Sequence, residues 1–172
     1  MRMPFRKPLV VISPKKLLRF KGACSNIEDF GEGTRFEMLI GDQNKNLVAP
    51  EKVRKVIFCT GQVYYDLEAK RAKDGLNDVA IMRVESLCPF PFKEILAQMK
   101  DYKNAKWTWA QEEPKNAGAW IYAEPRLRNM QDHLNVKSDL SYAGRPIMAA
   151  TAVGYTSHHN EQLDTLIKEA FA

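Results

Sequence analysis

Four short, continuous apolar runs most constrain what this chain can fold into. They are Val56-Ile57-Phe58-Cys59, residues 79–84 (Val-Ala-Ile-Met-Arg-Val), residues 107–110 (Trp-Thr-Trp-Ala) and residues 140–143 (Leu-Ser-Tyr-Ala). Runs of this length with little alternation suit strands buried on both faces. Between them the apolar period changes to a helical one. Val63 and Leu67 mark a helix over residues 63–73, closed by Gly75, since glycine is favoured just past a helix end. Phe92, Ile95, Leu96 and Met99 mark a second. Residues 118–134 read as a third, interrupted at Pro125, and residues 158–171 as a fourth with Leu163, Leu166, Ile167, Ala170 and Phe171 facing inward. Strands that alternate with helices of this length form βαβ units around a mostly parallel sheet. Right-handed crossovers then place helices on both faces. The expected fold is α/β, a three-layer α/β/α sandwich over residues 52–172.

The N-terminal third is less regular. Leu9-Val10-Val11-Ile12 reads as a strand, and Ser13-Pro14 as the start of a helix over Lys15, Lys16, Leu17 and Leu18. Residues 22–51 read as a linker with glycines at 22, 31, 33 and 41. Phe36, Met38 and Ile40 alternate within it, which marks one edge strand over residues 35–40, and residues 41–50 follow as a polar loop.

Composition removes several function classes. The chain has 172 residues, 45% hydrophobic and 27% charged, as in an ordinary globular domain. No apolar run approaches the roughly 20 residues of a membrane span, and no targeting segment is read at the N-terminus. The net charge of +5 is scattered and locally balanced, without the basic stripe and interleaved aromatics of a nucleic-acid surface. Three cysteines without CxxC spacing, Cys24, Cys59 and Cys88, suggest free thiols in a reducing compartment. The three histidines form no metal-ligand pattern, so no structural zinc is expected.

Candidate functional residues gather where strands end. Thr60-Gly61-Gln62 leaves a strand and opens a helix, the position of a phosphate-binding turn. It has one glycine and no Walker lysine, so a plain βα turn capped by Thr60 fits as well. The third strand runs out into Gln111-Glu112-Glu113-Pro114-Lys115-Asn116, followed by Gly118. Ligands of α/β proteins sit at such strand ends. Adjacent Glu112 and Glu113 point to opposite sides of a strand and so do not share a substrate. Asn116 and Gly118 have the chemistry of loop geometry. Arg126, Arg128 and Arg145 offer guanidinium forks for carboxylates or phosphates. His158-His159 reads as an exposed helix start. No complete active site emerges from these residues.

Several strings together resemble the C-terminal region of thiamine-dependent 2-oxoglutarate dehydrogenases. They are Met3-Pro4-Phe5-Arg6-Lys7-Pro8-Leu9 with Pro14-Lys15 and Leu17-Leu18-Arg19; Val56-Ile57-Phe58-Cys59-Thr60-Gly61 with Val63-Tyr64-Tyr65-Asp66-Leu67; and Arg83-Val84-Glu85 with Leu87-Cys88-Pro89-Phe90-Pro91-Phe92. They continue in Gln111-Glu112-Glu113-Pro114-Lys115-Asn116 with Gly118, Pro125-Arg126-Leu127 and Tyr142-Ala143-Gly144-Arg145-Pro146. The related 2-oxoadipate dehydrogenases are the near alternative. The resemblance implies a part of a longer protein. Residues 1–21 would end a pyrimidine-binding domain, residues 22–51 would link, and residues 52–172 would form a transketolase-C-like domain with one reversed strand, for which residues 35–40 are the candidate.

The resemblance further implies that the complete enzyme is a thiamine diphosphate- and magnesium-dependent oxidoreductase of the tricarboxylic acid cycle. It would be a homodimer that passes succinyl to a dihydrolipoyl succinyltransferase component, in the mitochondrial matrix of a eukaryote or the cytoplasm of a bacterium. No Gly-Asp-Gly motif is present, since Gly41-Asp42 is followed by Gln43. No catalytic, cofactor or metal residue is therefore carried over, and no cofactor is expected on this chain alone. Its expected role is dimer assembly and active-site access, with Thr60, Gly61, Gln111, Glu112, Glu113, Asn116, Gly118 and Arg145 as candidate contact or effector residues. A regulatory module for a nucleotide or acyl-CoA, near Thr60, Gly61 and Arg145, is the alternative, and titration calorimetry with AMP and acetyl-CoA separates the two. The isolated chain is expected to show no turnover when 2-oxoglutarate, thiamine diphosphate, magnesium and a redox dye are supplied together.

Overall fold

The computed structural model describes residues 4–172. Residues 1–3, with Arg2 and the Met3 that opens the family-like string, lie outside the described residues. The chain divides into two compact units, Met1–Thr34 and Arg35–Ala172. The described part of the first carries three short 3-10 helices, Lys15–Arg19, Lys21–Ala23 and Ile27–Phe30, with no buried residue in any of them. The strand expected at Leu9, Val10, Val11 and Ile12 is absent. These side chains are 72% to 96% exposed, and no neighbouring strand takes up their backbone groups. An apolar run becomes a strand only where a partner supplies the ladder. The helix expected after Pro14 is likewise a single 3-10 segment without a side-chain cap.

The second unit is the expected sandwich. Its strands are β1 (Leu39–Ile40), β2 (Lys55–Cys59), β3 (Val79–Val84), β4 (Lys106–Pro114) and β5 (Ser141–Arg145), in the order β1-β3-β2-β4-β5. Its helices are α1 (Val63–Asp74), α2 (Phe92–Met99), α3 (Trp120–His133) and α4 (Thr156–Phe171). β2 is central and buried at all five positions. It pairs in parallel with β3 and β4, and β4 pairs in parallel with β5. β1 runs antiparallel to β3, with Leu39 opposite Val84. The reversed edge strand therefore lies where the sequence places it, but it is shorter. Phe36 is 69% exposed, so its alternation with Met38 and Ile40 does not mark a buried face.

Alternate strand residues feed two cores. Val56, Phe58, Met82, Trp107 and Trp109 meet Ile95 and Met99 of α2 and Leu127 and Met130 of α3. Ile57, Cys59, Ile81, Ala110 and Ala143 meet Val63 and Leu67 of α1 and Leu166, Ala170 and Phe171 of α4. Gly75 closes α1 with φ of 64°. Pro125 does not interrupt α3. It is exposed, and the carbonyl it leaves without a donor belongs to Ile121, itself 65% exposed, where water can replace the lost bond.

The loop after β1 hides an ion pair that its polar composition does not announce. Asp42 and Arg71 have side chains only 2% and 4% exposed. Asp42 Oδ2 accepts from Arg71 Nη1 and, at 2.6 Å, from the Ile81 amide, while Oδ1 accepts from the Asn44 amide at 2.7 Å. Arg71 Nη1 also donates to the Val79 carbonyl at 3.1 Å. One carboxylate thus ties the loop, α1 and β3 together. Asp42→Ala would strand the arginine in the core, and is expected to cost about 3–5 kcal/mol in urea unfolding with an unchanged m-value.

Cys59 is fully buried on β2, and burial pushes its thiol up from 9.0 to about 12. Only the thiolate is nucleophilic. Iodoacetamide at about pH 8 is expected to label exposed Cys24 and Cys88 and to reach Cys59 only after denaturation, as peptide mass mapping would show. The raised thiol also sets a sign for stability. Unfolding releases its proton once the pH exceeds 9.0, so the Cys59 contribution is complete below that value and is lost as pH rises toward 12.

Candidate functional site

The carboxyl ends of β2 and β4 lie side by side, and the chain leaves them in opposite directions, from β2 toward β3 and from β4 toward β5. A crevice at such a divergence is the usual ligand position in open α/β sheets. Gly61, with φ of 75°, makes the turn out of β2, a conformation other residues adopt only with strain. α1 then starts at Val63 with Gln62 in the cap position and no side-chain cap, so Thr60 does not cap the helix as the sequence suggests. The Gln62 side chain crosses the crevice instead, and its Nε2 donates to Glu112 Oε2 at 2.5 Å.

β4 does not end at Ala110. It continues through Gln111, Glu112 and Glu113 to Pro114, with a register shift against β5 between Gln111 and Pro114. Gln111 faces inward and has no exposed surface. Its Oε1 accepts from Trp109 Nε1 and from the Trp120 amide at the start of α3, both at 2.9 Å. Its Nε2 donates to the carbonyls of Glu113 at 3.2 Å and Pro114 at 3.0 Å. Both lone pairs and both protons of the amide are used. A Cβ at Gly118 would collide with that amide, so glycine is needed there for close approach. Asn116 clamps the connector after β5, donating through Nδ2 to the Met148 carbonyl at 2.9 Å and accepting from the Met148 amide at 3.1 Å. The stretch expected to meet a partner is thus a rigid, internally bonded turn, with the Glu113 side chain on its exposed side.

Glu112 faces the other way, toward α1 and α4. Arg145, at the end of β5, is 3% exposed. Its Nη2 lies 2.8 Å from His159 Nδ1 and 3.9 Å from Glu112 Oε1. A guanidinium only donates, so His159 Nδ1 accepts and the neutral ring carries its proton on Nε2. The Arg145 carbonyl accepts from the Tyr142 hydroxyl at 2.9 Å and the Lys115 amide at 3.1 Å. Burial pushes the Tyr142 phenol up to about 12, which keeps that donor protonated. Gln62, Glu112, Arg145 and His159 therefore form one polar line across the ends of three strands. Glu112 and Arg145 were visible in the sequence. In the sequence Gln62 reads only as part of a turn, and His159 only as an exposed helix start. Their side chains meet the others through tertiary packing, and no local spacing signals it.

The remaining candidates stand apart. Arg126 lies over the Tyr122 ring at 3.5 Å and donates to its carbonyl, and Arg128 pairs with Glu124 at 3.0 Å, one turn away on the same helix. On the far side of β2, Arg83 sits over the Tyr64 ring at 4.6 Å and pairs with Glu85 at 2.9 Å. Burial works against the Arg83 charge, but Glu85 and the two tyrosines outweigh it, and the pKa is raised. Among the described residues no three His, Cys, Asp or Glu side chains converge into a group that could hold a metal ion. No helix among them is long and apolar enough to cross a membrane.

A family model described as 2-oxoglutarate dehydrogenase C-terminal matches residues 24–171. The chain is 45% identical over 170 residues to a 2-oxoglutarate dehydrogenase E1 component of Cupriavidus necator, covering 98% of this chain and 17% of that protein. It is 40% identical over 178 residues to the E1 components of Brucella anthropi and Brucella ovis, covering 99% of this chain and 18% of each relative. The chain thus spans under a fifth of the length of these curated relatives.

The bonding of Gln111 makes a direct prediction. Gln111→Leu leaves the Trp109 and Trp120 N–H groups without acceptors in the core and is expected to cost on the order of 3 kcal/mol in urea unfolding. Glu113→Ala, on the exposed side of the same turn, is expected to leave the unfolding midpoint unchanged.

Proposed function

The chain belongs to the 2-oxoglutarate dehydrogenase C-terminal family, and from that membership we propose that it serves as the C-terminal domain of a complete E1 component that oxidatively decarboxylates 2-oxoglutarate and transfers succinyl to a lipoyl group. The match over residues 24–171 carries this reading, because it takes in the whole sheet and all four helices around it. The complete enzyme would hold thiamine diphosphate and magnesium, the source of its carbanion chemistry, on residues outside this chain. The part played here is structural. The Gln111 amide and the Asn116 clamp hold the turn between β4 and α3 rigid, and the line from Gln62 to His159 holds the strand ends beside it. Such an edge suits a fixed wall against a neighbouring domain or a second copy of the chain. The further partner would be the dihydrolipoyl succinyltransferase component. A cytoplasmic location agrees with the bacterial origin of the relatives.

A chimera tests the proposal. The Cupriavidus enzyme with its matching C-terminal stretch replaced by this chain is expected to retain 2-oxoglutarate-dependent dye reduction and the size of its parent. The same enzyme with the stretch deleted is expected to lose activity. A soluble chimera of parental size that is as inactive as the deletion would overturn the reading.

A further inference from the structure

The run Leu9-Val10-Val11-Ile12 has the residues of a buried strand and none of the burial. Val10, Val11 and Ile12 are β-branched, the class that favours strands. Pro8 stands just before the run and Pro14 beyond it, so every amide from 9 to 12 is free to enter a ladder. Successive strand residues point to opposite faces, so Leu9 and Val11 would present one apolar face and Val10 and Ile12 the other. All four side chains are exposed, and among the described residues no backbone hydrogen bond reaches them. Leu18, Ile27 and Phe30, on the 3-10 helices that follow, are exposed as well. Large apolar side chains gathered on one exposed segment mark a surface that another body covers.

The pattern of the run selects among coverings. The same run of a second copy would give a two-stranded ribbon, bare on both faces and marginal in water. A membrane surface takes an element with one apolar and one polar face, and this run is apolar on both. Cover on both faces is what a strand receives inside a layered α/β sheet. The relatives show where such a sheet can come from. Residues 1–23 lie outside the stretch that matches the C-terminal family, yet the E1 relatives align over 98% to 99% of this chain, so the run corresponds to sequence that precedes that family domain. This chain covers only 17% to 18% of each relative, which leaves most of their length to supply further strands. Resting on the reading of this chain as part of a complete E1 component, we propose that residues 9–12 form an interior strand of a sheet whose other strands come from the portion of that component outside this chain. The run then ties the C-terminal domain to the one before it. The local balance of charge fails around the run, since Arg6, Lys7, Lys15, Lys16, Arg19 and Lys21 lie between Phe5 and Ile27 without an acid. These cations stand at its two ends, where an interior strand emerges from its sheet.

Hydrogen exchange read by mass spectrometry tests the proposal. In this chain alone the amides of residues 9–12 are expected to exchange as in an unstructured peptide. In the Cupriavidus chimera described above they are expected to be slowed by at least about a hundredfold. Val10→Lys and Val11→Lys place a charge on each face in turn. Both are expected to leave the unfolding midpoint of this chain alone unchanged, and each is expected to lower the thermal midpoint of the chimera. An active chimera of parental size whose residues 9–12 stay unprotected would overturn the proposal and leave the E1 reading standing. Tolerance of either lysine in that chimera would do the same, since it marks a run with one bare face. A chimera that fails to assemble counts against the E1 reading, and the residues of the Cupriavidus parent aligned with 9–12 then decide. Protection there upholds the interior strand, and its absence overturns it. Protection that arises when this chain meets phosphatidylglycerol vesicles, and not in the chimera, would overturn the proposal in favour of a membrane surface.

Discussion

One side-chain amide holds the carboxyl edge of this domain together. Gln111 sits where β4 leaves the core, in a region without water to complete unmade bonds. Each of its four hydrogen-bonding positions is met from within the fold, by an indole, the first amide of α3 and two carbonyls of the turn. A buried polar group in that state stabilises and specifies, while the same group half-satisfied would cost more than an apolar replacement. The consequence reaches both neighbours. α3 receives an acceptor at its otherwise uncapped N-terminus, and Gly118 is confined to glycine by the approach of the amide.

The opposite edge is fixed by a different device. Asp42 and Arg71 are charged, buried and paired, and the carboxylate also accepts two backbone amides. Desolvation of two charges largely offsets their attraction, so such a pair adds little net stability over an apolar alternative. What it supplies is position. The loop after β1 has one place to dock, and the short antiparallel strand before it is thereby held against β3. Sheet edges are liabilities in general, because their unpaired backbone invites foreign strands. Here the β1 edge is two residues long.

Between these two anchors lies the crevice from Thr60 to His159. Its polar line consists of groups delivered by α1, β4, β5 and α4 in turn, each spoken for by the next. That continuity makes the edge a bonded wall across the strand ends.

The apolar rhythm of the chain was sufficient to place β3, α2 and the buried residues of β2 and β4, because strands covered on both faces leave few alternatives to continuous Val, Ile, Phe, Met and Trp. The strings around Gly61, Pro114 and Arg145 likewise carried the family, since short motifs survive independently of how they pack. Local pattern failed where a partner decides the outcome. Leu9 to Ile12 look like a strand and are not one, for want of a neighbouring ladder. Asp42 looks like a loop acid and is a buried ion-pair partner, and Gln111 looks like an exposed contact and is a core amide. Hydrophobic periodicity is a property of adjacent residues, so the sequence by itself determined the layers and their order of construction. Satisfaction of buried polar groups depends on atoms distant along the chain. Only the tertiary structure could decide which of the glutamines, acids and arginines turn inward and which are matched there.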